Sequence, residues 1–246
     1  GVYAYSYDQF DKAQTSGATC PVARDEAGGI IYGANRDPRP MYYDYNGTKY
    51  AFTGGDAIYE DVNHDGSIDQ YDVVYLGSSL PKLTGGFGFR LFYKGWSLNA
   101  QFNYRYGNKI ANVARMMAEN MHGADNQSTA VNYRWRKEGD GANGGHVLPR
   151  ALYGQGYNWM GSDRFVEDGS FLRLNYLQLS YGFDSKLVKR IGLSRLNLYV
   201  SGENLFCLTK YSGVDPEVNY GSMGVTKDEA ITPRAKSFTF GLTATF

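Results

Sequence analysis

Lys236-Ser-Phe-Thr-Phe-Gly-Leu-Thr-Ala-Thr-Phe246 decides the fold. Phe238, Phe240, Leu242, Ala244 and Phe246 alternate with Ser237, Thr239, Gly241, Thr243 and Thr245. Successive side chains of a β-strand point to opposite faces, so this period of two builds one apolar face and one face of small polar groups. A strand of about ten residues whose polar face is as continuous as its apolar face suits a barrel with lipid outside and water inside. The expected class is therefore all-β, with antiparallel strands that span a membrane.

Four segments upstream repeat the pattern. The first covers residues 83–93, with Phe87, Phe89, Leu91 and Tyr93 on one face, and Lys94-Gly95 follows as a tight turn. Trp96, Leu98, Ala100, Phe102, Tyr104 and Tyr106 then alternate with Ser97, Asn99, Gln101, Asn103 and Arg105. The third covers 171–183. Its apolar parity slips between Leu172/Leu174 and Leu177/Leu179, which predicts either a bulge or a rise of the strand above the membrane there. In the fourth, 195–206, Leu196, Leu198 and Val200 face outward, while Asn197, Tyr199, Ser201 and Glu203 face inward. The connections alternate between short (94–95, 184–194) and long (107–170, 207–235). Short turns on the periplasmic side and long loops outside are the habit of bacterial barrels. This order puts the C-terminus in the periplasm, and the terminal aromatic looks like the signal that outer-membrane assembly machinery reads. Residues 1–82 read mostly as a further extracellular loop region. Helical turns are expected near 110–121 and 185–190.

Composition agrees. The 246 residues hold 22 Tyr and 31 Gly, as long strands with aromatic girdles and tight turns require. Lys plus Arg (25) equal Asp plus Glu (25), which removes the basic stripe expected of a nucleic-acid binder. No apolar run approaches the roughly 18 residues of a membrane helix. Cys20 and Cys207 set no framework; a disulfide between two outside loops and two unpaired thiols both fit. Gly1 reads as an internal start, with the chain forming the C-terminal part of a longer polypeptide. Five strands fall short of the about eight that close a membrane barrel, so either the remaining strands lie on another chain or segment or the membrane reading is wrong.

The sharpest chemical motif is Asp61-Val-Asn63-His-Asp65-Gly66-Ser67-Ile-Asp69-Gln-Tyr-Asp72. Oxygen-bearing side chains occupy loop positions 1, 3, 5, 9 and 12, Gly66 sits at position 6, and Ser67 offers its carbonyl at position 7. Ca²⁺ takes six to eight hard oxygens, and this spacing wraps them around one point. Asp72 stands where an EF-hand has Glu, so the flanking chain must come closer. No helix pair flanks the loop, which points to a structural cation. The competing reading is an acidic turn without metal. His64, His122 and His146 lack zinc-ligand spacing. Trp135 and Trp159 could stack on sugars or pack among the loops. Asn46-Gly-Thr48 and Asn126-Gln-Ser128 match a glycosylation pattern that carries little weight in a bacterial protein.

Several stretches resemble SusC/RagA-type TonB-dependent transporters: Asp163-Arg-Phe-Val-Glu-Asp-Gly-Ser-Phe-Leu-Arg-Leu174, Val200-Ser-Gly-Glu-Asn-Leu-Phe206, Thr209-Lys-Tyr-Ser-Gly213, Asp215-Pro-Glu217, Glu60–Asp69 with Leu80–Phe87, and Asn126-Gln-Ser-Thr-Ala130. The resemblance covers residues 55–246. It implies a 22-stranded barrel whose last strands are these, with an N-terminal plug outside this chain. It also implies a SusD-like surface lipoprotein as lid, TonB–ExbB–ExbD as energy source, and active import of oligosaccharides or peptides without covalent chemistry. The rivals are a secreted calcium-stabilised β-sandwich of carbohydrate-binding type, which would bury Phe238, Phe240 and Leu242 in a protein core, an extracellular glycosidase domain, and, within the barrel class, a passive porin.

Overall fold

A computed structural model describes residues 2–5, 7–8, 21–137, 139–140, 148–217 and 226–246. Cys20 and His146, and with Cys20 the proposed disulfide, lie outside the described residues. In chain order the strands are β1 (Val2–Tyr5), β2 (Tyr7–Asp8), β3 (Tyr42–Tyr45), β4 (Thr48–Ala51), β5 (Ile58–Tyr59), β6 (Ser67–Ile68), β7 (Val73–Gly77), β8 (Leu83–Tyr93), β9 (Trp96–Tyr106), β10 (Lys109–Asn112), β11 (Val166–Asp168), β12 (Phe171–Gly182), β13 (Arg195–Thr209), β14 (Lys227–Asp228) and β15 (Ser237–Thr245). Among the described residues two short α-helices, α1 (Val113–Ala118) and α2 (Ser185–Val188), lie in the connections. The chain divides into two compact units. The first comprises Gly1–Gly77, Ala111–Glu167 and Lys227–Glu229; the second comprises Ser78–Ile110, Asp168–Thr226 and Ala230–Phe246.

The second unit is built on a five-stranded antiparallel sheet in the order β15-β13-β12-β9-β8. Its strands form where the alternation places them, with β13 running three residues further than expected. Register carries each apolar row across the sheet: Trp96, Tyr181, Leu198 and Leu242 lie side by side, as do Leu98, Leu179, Val200 and Phe240. The parity slip in β12 is a bulge. Leu174 faces Phe102 and Tyr176 faces Gln101, leaving Asn175 as the extra residue. Lys94 (φ 44°) and Gly95 (φ 86°) make the left-handed two-residue turn that suits the strand twist. On the polar face Gly241 lies under the Tyr199 ring, where any Cβ would collide with it.

Among the described residues no second sheet covers the apolar face. Phe238 is 66% exposed, Phe240 80% and Leu242 62%. A β-sandwich buries these positions in its core, so the sandwich alternative is set aside. Where β9, β12 and β13 meet the short turns, Trp96 packs on Tyr181 (4.8 Å between ring centres) and Tyr181 on Phe183 (4.9 Å). This is the aromatic cluster expected at a lipid–water boundary.

The first unit is more structured than the loop region expected for residues 1–82. Among the described residues six short strands precede Val73, and Met41, Phe52, Ala57, Tyr59 and Ile68 form a buried core. β3 and β4 are a hairpin turned by Asn46 (φ 54°) and Gly47 (φ 78°). The residues read above as a glycosylation pattern are thus a tight turn. A second cluster gathers Met121, Leu148, Trp159 and Phe165.

Candidate functional site

The candidate cation loop, Asp61–Asp72, lies in the first unit. Its backbone carries the turn that the motif demands: Gly66 has φ 83°, and His64, at position 4, has φ 59°. The Asp61 carboxylate accepts the N–H groups of Asp65 (3.2 Å) and Gly66 (2.7 Å), so position 1 holds the turn from within. Asn63 Oδ1 accepts Asp65 N–H (3.2 Å), and Asn63 Nδ2 donates to Asp65 Oδ2 (2.9 Å). Asp65 Oδ1 accepts Ser67 N–H (2.7 Å), and Ser67 itself begins β6. Asp69 caps the single 3₁₀ turn at Gln70–Asp72 by accepting Tyr71 N–H (2.7 Å). Asp72, fully buried, accepts Asp69 N–H (2.7 Å) and Val62 N–H (2.8 Å).

These carboxylates are turned onto the loop's own N–H groups. Among the described residues no three Asp, Glu, His or Cys side chains close on one point. The donor set nevertheless fits a hard cation in identity and in backbone turn: Asp61, Asn63, Asp65, Asp69 and Asp72 would offer side-chain oxygens and Ser67 its carbonyl. Electrostatics point the same way. Burial raises the Asp61 carboxyl above its ordinary 3.8, with the Asp65 charge adding to the shift. Burial raises Asp72 likewise, with Asp61 and Asp69 adding to it, and the accepted N–H groups oppose both shifts.

The sign of this shift gives a test. In the metal-free chain a raised carboxyl pKa favours the folded loop only while the group is protonated. Loop stability therefore falls as pH rises from 3.8 through the shifted value. A bound cation favours the ionised form and reverses the slope. Hydrogen exchange across 61–72 at pH 4 and pH 7, with chelator and with Ca²⁺, should show opposite pH dependences. The same slope in both would mean that no cation sits on these carboxylates.

Ile68, at loop position 8, is fully buried in the core with Met41 and Phe52. Tyr42 and Tyr43 pair in parallel with Ser67 and Ile68. Tyr42 N–H donates to Gly66 O (3.1 Å), and His64 Nδ1 lies 3.1 Å from the Arg24 carbonyl. Ala23 and the Arg39 guanidinium press against Gly66 so closely that a Cβ there would crowd both. The loop is thus a foundation for residues 21–43.

In the second unit the polar face of the sheet presents Asn99, Gln101, Asn103 and Arg105 on β9, and Gln178 and Ser180 on β12. Glu203 lies on the inward face, as its parity requires, and accepts Ser237 Oγ (3.0 Å). Sequence reasoning missed the ion pairs set on this face. Arg173 on β12 is buried, donates to Asp215 (2.5 Å) and forms an ion pair with Glu217 (2.8 Å), which also pairs with Arg234 (3.1 Å). Asp215 further accepts the N–H groups of Glu217 (2.9 Å) and Arg234 (3.2 Å), so one carboxylate holds both limbs of the connection between β13 and β15. The one sequence signal was an arginine inside an apolar strand, which must find a counter-charge.

No family model matches the chain. A TonB-dependent receptor of Formosa agariphila, P3, is 30% identical over 199 residues, covering 78% of this chain and 19% of that protein. A second receptor from the same organism, P26, is 30% identical over 198 residues, and SusC of Bacteroides thetaiotaomicron is 29% identical over 213. The RagAB peptide importer in its closed-closed state superimposes with a TM-score of 0.66 at 24% identity, over 100% of this chain and 23% of that one. The chain belongs to the SusC/RagA-type TonB-dependent receptors. It spans about a fifth of the length of the relatives it matches. TonB-dependent receptors are outer-membrane proteins, and the uncovered apolar face of this receptor's sheet is what that location requires.

Proposed function

We propose that this chain is the last-strand segment of a 22-stranded outer-membrane barrel, one that imports oligomeric nutrients, glycans or peptides, on energy from TonB–ExbB–ExbD. The observation that carries the reading is the five-stranded sheet, with one face apolar and uncovered and the other lined by amides, hydroxyls and paired charges. Water and substrate would meet the polar face and lipid the apolar one. The alternation of short and long connections supports an orientation in which the turns at 94–95 and 184–194 would lie in the periplasm, with the C-terminus, and the long connections outside. There they would contribute surface for substrate and for a SusD-like lipoprotein lid. The plug that TonB acts on would belong to the rest of the polypeptide. Asp61, Asn63, Asp65, Ser67, Asp69 and Asp72 would hold one structural Ca²⁺ that stiffens the outside region ahead of β8. No residue is assigned a role in covalent chemistry.

The test is uptake of a labelled oligosaccharide or peptide by cells carrying the whole transporter, with and without TonB, combined with affinity purification in detergent. Uptake that stops without TonB, together with a co-purifying surface lipoprotein, is expected. Uptake indifferent to TonB would mean a passive porin, and a chain soluble without detergent would end the membrane reading.

A further inference from the structure

The short-turn end of the sheet carries charge and greasy surface in an unusual combination. α2 is capped by Asp184, whose Oδ1 accepts Lys186 N–H (2.8 Å), and continues as a 3₁₀ turn, Lys189–Ile191, stopped by Gly192 at φ 79°. Val188 is buried under it, but Leu187 is 59% exposed and Ile191 68% exposed. Lys186, Lys189 and Arg190 stand exposed on the same connection, Arg195 opens β13, and Lys94 sits in the neighbouring turn. The two turns are joined, since Gly182 N–H donates to Gly95 O (2.9 Å) and Phe183 N–H to Leu196 O (3.0 Å). None of the five cations forms an ion pair among the described residues. Asp184 is the one acidic side chain in either turn.

Beside them the apolar face is dished. A depression of about 760 Å³ is lined by Trp96, Leu179, Tyr181, Leu198, Phe240 and Leu242, among others. It occupies the first two full apolar rows above the turns, and two residues along a strand advance about 7 Å. Cationic end and apolar trough therefore lie within the length of one glycerophospholipid.

We infer that this end of the sheet binds an anionic phospholipid, with an acyl chain in the depression and the headgroup phosphate on the turn cations. Charge complementarity selects the occupant. The trough alone would take any acyl chain, but five unpaired cations against one carboxylate select a lipid of net negative charge. Guanidinium and ammonium groups are the side chains suited to phosphate, Arg in bidentate fashion and Lys as a point charge. Exposed Leu187 and Ile191 enter the acyl layer beside the bound lipid, as on an interfacial helix, while the basic residues stay at headgroup level. The Trp96–Tyr181–Phe183 cluster marks that boundary. The inference rests on the proposed orientation, which puts these turns at the phospholipid leaflet facing the periplasm.

The test uses the whole transporter, purified in detergent and delipidated. Native mass spectrometry follows titration with phosphatidylglycerol and, separately, phosphatidylethanolamine. The wild type should retain phosphatidylglycerol about tenfold better. The triple variant Lys186→Gln/Lys189→Gln/Arg190→Gln should hold the two lipids about equally, and Leu198→Trp, which fills the trough, should weaken both. Heat-modifiable migration in SDS gels confirms that each variant remains a folded barrel. Equal retention by the folded wild type, or an undiminished preference in the triple variant, overturns the inference and leaves the import reading intact. A protein that never requires detergent overturns both.

Discussion

Asp56→Asn should open the first unit by about 3–5 kcal/mol, the cost of removing one partner from a buried ion pair. Asp56 is 1% exposed, and its two oxygens receive an unusual number of donors. Oδ1 accepts Arg150 Nε (2.6 Å) and Asn158 Nδ2 (3.0 Å). Oδ2 accepts Tyr50 O–H (2.7 Å), Thr53 N–H (2.8 Å), Thr53 Oγ1 (3.2 Å) and Arg150 Nη2 (3.3 Å). An amide in this place loses the charge and turns an N–H₂ toward groups that are themselves donors. Arg150 is then left half-buried without its anion. The Tyr50 phenol takes no part in any pH response at neutrality, because burial, and then its bond to Asp56, push its pKa upward. Tyr50→Phe removes one neutral donor from an acceptor that keeps the others, and should cost only about 1 kcal/mol. Hydrogen exchange at Thr53 and Ala57 reads the difference. Ala57 N–H is held by Asn158 Oδ1 (2.9 Å), and Asn158 depends on Asp56. Asp56→Asn should speed exchange there by about two to four orders of magnitude. If the two variants exchange alike, the carboxylate is not the keystone of this unit.

How much of this was legible in the sequence depends on the length over which a pattern repeats. β9 and β15 could be read residue by residue because their two faces meet different media over about ten positions, and the slip at Asn175 betrayed its own bulge. β5 and β6 hold two residues each, too few for any period to show, so the core around Met41, Phe52 and Ile68 was missed. Asn46-Gly47 was a readable signal, the strongest short mark of a hairpin, yet it was taken for part of a glycosylation pattern. The turn within Asp61–Asp72 was legible because its spacing is local, and Gly66 takes the left-handed conformation that the spacing demands. The ion pairs were not. Arg150 and Asp56 are 94 residues apart, Arg173 and Asp215 are 42 apart, and one sequence carries no record of which distant charges meet.

Arg173 carries the second large effect, and the one that bears most directly on the proposed import. Arg173→Met should cost about 3–5 kcal/mol, because it leaves Asp215 and Glu217 buried side by side without the cation that neutralises both. Side-chain exposures are 5% for Arg173, 9% for Asp215 and 10% for Glu217, so water cannot replace the lost charge. Arg234 cannot take over. It is 57% exposed and reaches only Glu217 through its side chain. Arg234→Ala should accordingly cost less than about 1 kcal/mol, the range of solvent-exposed pairs. The consequence is local before it is global. Asp215 holds the N–H groups of Glu217 and Arg234, so losing its counter-ion loosens both limbs of the connection between β13 and β15 while the ladder from Arg195 to Glu203 still pairs with β15. Limited proteolysis should cut between residues 210 and 236 much faster in Arg173→Met than in the wild type, at a temperature where the barrel still migrates as folded. On the proposed import reading, a connection no longer fixed to the polar face should lower substrate uptake without lowering the amount of protein in the membrane. Cleavage at the wild-type rate would show that the arginine is dispensable for holding this connection.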